Sequence, residues 1–159
     1  MITTKIEITD YLAEYLAGKF PDTDSGHVRI PDSKDLYHLI WDLMTRRPGN
    51  CIDEGNVTLV LPDRRQGKDP EYFNYISQRS AKIIDKKVRT MFFAELHDLL
   101  DEYKHRHQIE YVDTVHYFMC KYGINSISED GLLKNYYRWR DIERKKNRKR
   151  DYKKRLNVS

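Results

Sequence analysis

The sequence predicts an α+β, mostly helical protein, with a small β-α-β-α-β region at residues 1–68 packed on a helical region at 69–142. Three observations predict it. Short alternating or solid apolar runs, the mark of strands, occur only before residue 62. From Pro70 onward apolar residues recur at helical spacing almost to the end. Beyond Ile142 they stop, and 143–159 reads as an exposed basic extension that cannot help build a core.

Thr4 to Ile8 (TKIEI) alternates and fits a half-buried strand. Thr9 is placed to cap a following helix with Leu12, Tyr15, Leu16 and Phe20 on one face, closed by Gly18 and Pro21. His27 to Ile30 (HVRI) is a second strand candidate. Pro31-Asp32-Ser33 offers a turn and cap for Leu36, Leu39, Ile40, Leu43 and Met44. Arg46 and Arg47 fall in that helix's expected last turn, and Pro48-Gly49 ends it. Val57 to Leu61 (VTLVL) is nearly all apolar and reads as a buried strand; together these elements suggest a small mixed sheet.

Asp69-Pro70 predicts a helix start, with Asp as cap and Pro at the first helical position. Ile76, Ile83, Ile84, Val88, Met91, Phe92, Leu99 and Tyr103 then imply two helices broken near Ser77 to Ser80. The stretch Met91 to Leu100, apolar on more than one face, is the expected central helix. A shorter helix follows with Tyr111, Val112, Val115, Phe118, Met119 and Tyr122 inward, and Gly123 sits where a left-handed C-cap belongs. Ser128 caps a last helix with Glu129 and Asp130 in its first turn. Its apolar stripe is Leu132, Leu133, Tyr136, Trp139 and Ile142.

The 159 residues make about one average domain. With 39% apolar and 34% charged residues, 7 Gly and 5 Pro, the composition excludes collagen-like, low-complexity or wholly disordered protein. No apolar run reaches the ~18 residues of a membrane span, and MITTKIEITD has neither a basic n-region nor an apolar h-region. A cytoplasmic protein with no membrane partner is expected. Cys51 and Cys120 lie far apart and imply reduced thiols rather than a disulfide framework or a four-cysteine zinc site.

Charge is unevenly placed. Lys134 to Arg155 holds 12 Lys/Arg and 3 Asp/Glu, a net of +9, whereas the other 137 residues net −5. A mildly acidic body with a basic tail points to an anionic partner. Residues 111–140 form helix, glycine turn, helix, and the second helix runs into the basic segment. A DNA-reading helix-turn-helix has this logic, with one helix bracing and the next offering its polar face to the major groove. The groove-facing candidates are Ser128, Asp130, Lys134, Asn135 and Arg138. Asn pairs with adenine and Arg with guanine, so Asn135 and Arg138 are the base readers on this reading. Tyr137 and Arg140 would touch phosphates, and Arg144, Lys145, Lys146, Arg148, Lys149 and Arg150 would track the backbone.

The segment FMCKYGINSISEDGLLKNYYRWR resembles helix-turn-helix portions of small proteins of bacterial phages and mobile elements. The whole looks loosely like the Mor-type phage transcription activators, and the likeness covers roughly a quarter of the chain. It implies a bacterial DNA-binding regulator or mobile-element accessory protein whose N-terminal region serves association. It departs from the common pattern in a longer turn after Gly123 and in Gly131 inside the recognition helix, which weakens helicity by ~1 kcal/mol relative to Ala. The expected partner is double-stranded DNA, read by a possible homodimer. A protein adaptor docking its tail on an acidic partner, or an RNA-binding protein, are the alternatives.

Other chemistry finds less support. His97, His105, His107 and His116 read as surface residues, since none forms HExxH or pairs with CxxC, and His105 and His107 point about 200° apart. Asp53, Glu54 and Asp63 flank a buried strand, as magnesium-holding acids of nucleases do, but lack the accompanying lysine. No GxSxG, GxxxxGK[ST] or GxGxxG occurs. No enzyme activity, cofactor, metal or small-molecule substrate is therefore expected. Arg64 to Lys68 (RRQGK) reads as a second basic patch on a solvated loop.

Overall fold

In the computed structural model, which describes residues 1–23, 25–64 and 67–158, the chain is α+β and mostly helical. The element order is β1 (Thr3–Ile6), α1 (Asp10–Lys19), α2 (Asp35–Leu43), β2 (Val57–Val60), α3 (Gln78–His107), α4 (Tyr111–Tyr122) and α5 (Glu129–Val158). The two strands pair antiparallel, Thr3 opposite Val60 and Ile6 opposite Val57.

The expected strand at 27–30 shrinks to one residue. Val28 donates to Thr58 O and accepts from Val60 N, both at 2.9 Å, so it lies beside β2 as a single bridge. Its neighbours are committed elsewhere: Arg29 N–H bonds Phe20 O and His27 O accepts from Asp22 N–H. Two other expectations fail for similar reasons. Arg46 and Arg47 lie past the end of α2. Arg47 instead donates to Asn74 Oδ1 and Asn74 O at 2.9 Å each and to Thr4 Oγ1 at 3.2 Å, and Arg46 lies over the Phe73 ring. Asp69-Pro70 opens a turn, not a helix. The chain after it is held extended where Thr45 and Tyr75 exchange backbone bonds of 2.9 and 3.1 Å. Helix α3 starts only after Ser77, whose Oγ accepts Ser80 N–H at 3.1 Å, and it continues unbroken to His107.

At about 1.5 Å per residue, the 30-residue α3 is a spine roughly 45 Å long. It buries Ala81, Ile84, Val88, Phe92, Leu96, His97 and Leu100. Helices α1, α2 and α4 pack on it, and α4 in turn holds α1 and α5. Thr9 stands at the start of α1 but caps nothing there; its N–H and hydroxyl both donate to Asp85 Oδ2 of α3 at 2.7 Å. Gly18 does not end α1. A Cβ there would sit 2.3 Å from Tyr122 O, so the glycine lets α1 and α4 touch backbone to backbone.

An aromatic knot joins the three helices: Tyr15 meets Phe92 and Tyr122 edge-on at 5.1 Å, and Phe92 meets Phe118 at 5.3 Å. Half-buried Glu95 accepts from Tyr15 at 2.7 Å, Tyr122 at 2.6 Å and Lys19 at 3.0 Å. Burial alone would raise the Glu95 carboxyl, but these three donors outweigh it and hold it below its ordinary value. Ile83, Val112 and Ile142, expected on inner faces, are exposed.

Candidate nucleic-acid interface

The α4–α5 joint is built locally and then pinned from a distance. Gly123 adopts φ +67°, Ile124 N–H reaches back to Met119 O at 2.9 Å and Gly123 N–H to Cys120 O at 3.4 Å, a Schellman closure. Ile124 is buried, which adds the usual apolar clasp. Asn125 and Ser126 N–H groups then donate to the two carboxylate oxygens of Glu14 on α1, at 3.1 and 2.9 Å. Ser128 Oγ accepts Gly131 N–H at 3.0 Å and starts α5, as its residue type implies. The direction of α5 is thereby fixed by α1 as well as by α4.

Leu132 and Tyr136 are fully buried under the first half of α5. Tyr136 donates its hydroxyl to Asp101 of α3; burial first, then that carboxylate, pushes the phenol well above its ordinary value. Trp139 lies against His97, ring centres 4.6 Å apart. His97 is a buried residue, not a surface one, and its Nε2 bonds Asn135 Oδ1 at 2.9 Å. Burial holds the imidazole below its ordinary pKa, against the opposing pull of Asn135 and of Asp101 and Asp98.

These contacts sort the expected site residues. Asn135 faces α3, so its amide is engaged with His97 and is withdrawn from the groove-facing set. Arg140 is also drawn inward: it donates to Tyr111 Oη at 3.2 Å and its guanidinium lies 5.1 to 5.7 Å from the Tyr111, Tyr136 and Tyr137 rings. Both lie within about 90° of the buried stripe at 100° per residue, which is why the fold captures them. Lys134 and Arg138 are exposed on the opposite side, Lys134 within 2.9 Å of Asp130. Tyr137 is partly open beside Arg140. Arg144, Lys145, Lys146, Arg148, Lys149 and Arg150 are all exposed. Among the described residues, only Lys146 of these six has a carboxylate within ion-pair distance, Glu143 at 3.5 Å.

The basic segment is therefore a straight continuation of the anchored helix. Residues 144–158 extend about 22 Å as helix. On its outward line Lys134, Arg138, Lys145 and Lys149 align, interrupted by Asp141, while past Glu143 basic residues occupy every side.

The other candidates are absorbed into the fold. Asp53 accepts Lys5 N–H at 2.8 Å and lies 3.7 Å from Arg47, so it clamps β1 to the loop before β2. Arg64 lies over Tyr37 and Trp41 and contacts His38, and Lys68 donates to Trp41 O and Asp42 O. Neither is a free loop cation, and Arg65 and Gln66 lie outside the described residues. No group of three or more His, Cys, Asp or Glu side chains suits a metal ion among the described residues. Among the described residues, no helix is long and apolar enough to cross a membrane.

One arrangement escaped the sequence reading: Cys120, His116 and Glu129 meet across the α4–α5 joint. Cysteine four residues after histidine on a helix was a usable signal; the glutamate beyond the turn was not. Compared with protein-family models, curated proteins and solved structures, the chain matches none.

Proposed function

We propose that the protein binds duplex DNA through the exposed second half of α5, in a regulatory or mobile-element accessory role. The observation that carries this is the rod itself: nine exposed cations between Arg144 and Arg155 on a helix whose first half is bolted to α3 and α4. A single helix with charge on every side suits a groove, where phosphate walls rise on both flanks, better than a flat surface. Its diameter of about 10–12 Å matches the ~12 Å width of the major groove. Lys134 and Arg138 extend the contact toward the joint, and Arg138 is the remaining base reader once Asn135 is committed to His97. The helix-turn-helix-like pair on this reading positions the rod and reads little sequence.

Fluorescence anisotropy with a random-sequence duplex, a single-stranded RNA and a polyglutamate peptide tests it. Duplex DNA is expected to bind tightest at about 50 mM salt, with only a modest gain for any particular sequence. Tighter binding of polyglutamate than of duplex would favour an adaptor that docks on acidic protein instead, and tighter RNA binding would redirect the reading to single strands.

A further inference from the structure

Away from the basic rod, three side chains stand in the order nucleophile, base, orienter. Cys120 Sγ lies 3.6 Å from His116 Nε2, and His116 Nδ1 lies 2.7 Å from Glu129 Oε1. The carboxylate can only accept, so Nδ1 carries the hydrogen and Nε2 presents a lone pair to the thiol. His116 and Cys120 are one turn apart on α4, and Glu129 enters from the first turn of α5. The Schellman turn and the Glu14 clasp fix that approach. The group is open to solvent, with Cys120 exposed and the His116 and Glu129 side chains 67% and 41% exposed.

We infer that Cys120 is an activated thiol, a site of exchange with low-molecular-weight disulfides. This exposure argues against acyl transfer, which needs a walled site that orients a carbonyl and its oxyanion. Disulfide exchange needs neither; it needs a thiolate within reach of a small reagent. His116 Nε2 takes the Cys120 proton while Glu129 steadies the imidazolium. The thiolate attacks one sulfur of the disulfide, forming a mixed disulfide on Cys120 as the reagent's own sulfur–sulfur bond breaks. The departing half leaves as thiolate and recovers the proton from His116. Cys120 is oxidised, half of the reagent is reduced, and charge is conserved. Cys51, half-buried, has no histidine partner among the described residues.

The test uses the full chain carrying Cys51→Ser, so that one thiol is read, with a chromogenic aromatic disulfide at neutral pH. Native Cys120 is expected to react about tenfold faster than the same thiol in the urea-unfolded chain, the reverse of mere shielding. His116→Gln should remove that excess. Glu129→Gln should lower it, and Glu129→Asp should restore part of it. Circular dichroism identifies variants that remain folded. A native rate no higher than the unfolded rate overturns the inference, and so does a folded His116→Gln variant that reacts as fast as its parent.

Discussion

The two halves of α5 share one helix and almost nothing else. Residues 129–140 are held by side chains: Leu132 and Tyr136 in the core, Asn135 on His97, Trp139 against the same ring and Arg140 over three tyrosines. Residues 144–155 are exposed throughout. An isolated helix of this length is marginal in water, and one crowded with like charge is more so. What maintains it is continuity with the anchored half, which has already met the cost of nucleation. If the proposed DNA binding holds, stability and partner affinity reside in different residues of one element, and the two can be changed separately.

The largest effect should come from replacing Arg144, Lys145, Lys146, Arg148, Lys149 and Arg150 together with glutamine. Duplex affinity at low salt is expected to fall by about three orders of magnitude, measured by anisotropy. The denaturant midpoint should barely move, because none of the six is buried. Leu132→Ala breaks the comparison from the other side: it should cost about 2–5 kcal/mol of folding stability in urea titration, with the rod's composition untouched.

Asn135→Ala is the sharper case, because its residue type suits adenine and its position does not. Leaving His97 without its partner should cost about 1–2 kcal/mol, while affinity for any duplex stays within about twofold. Lys134→Gln should do the reverse, reducing the salt slope of binding by about one unit without measurable loss of stability.

The smallest effect is a pH dependence. His97 is disfavoured as a cation in the folded state, chiefly by burial. The unfolded chain takes up a proton below about 6.5 that the folded chain declines. Stability should be complete above that value, decline as pH falls through it, and level off below the depressed folded value. His97→Gln should flatten that decline in thermal melts recorded across pH 5 to 7.5.

The sequence is most informative where structure is local. Helix α4, its Gly123 closure and the Ser128 cap follow from residue types a few positions apart. Helix α3 starts at Gln78 and not at Pro70, because Asp69-Pro70 carries the right local signal and a distant partner, Thr45, overrides it by holding Tyr75 extended. Thr9 likewise has the chemistry of a cap, yet spends both donors on Asp85, 76 positions away. In the candidate site the basic run was plain from composition. The side on which Asn135 falls was not, because His97 on α3 decides it.

In the proposed function the free half of α5 grips a polyphosphate by charge. The most direct measurement is the affinity of the unaltered chain for a random duplex over a series of salt concentrations. If about six cations engage phosphates, log affinity should fall against log salt with a slope near −5. A slope near zero, or no binding to any duplex at about 50 mM salt by a chain shown to be folded, would contradict the claim.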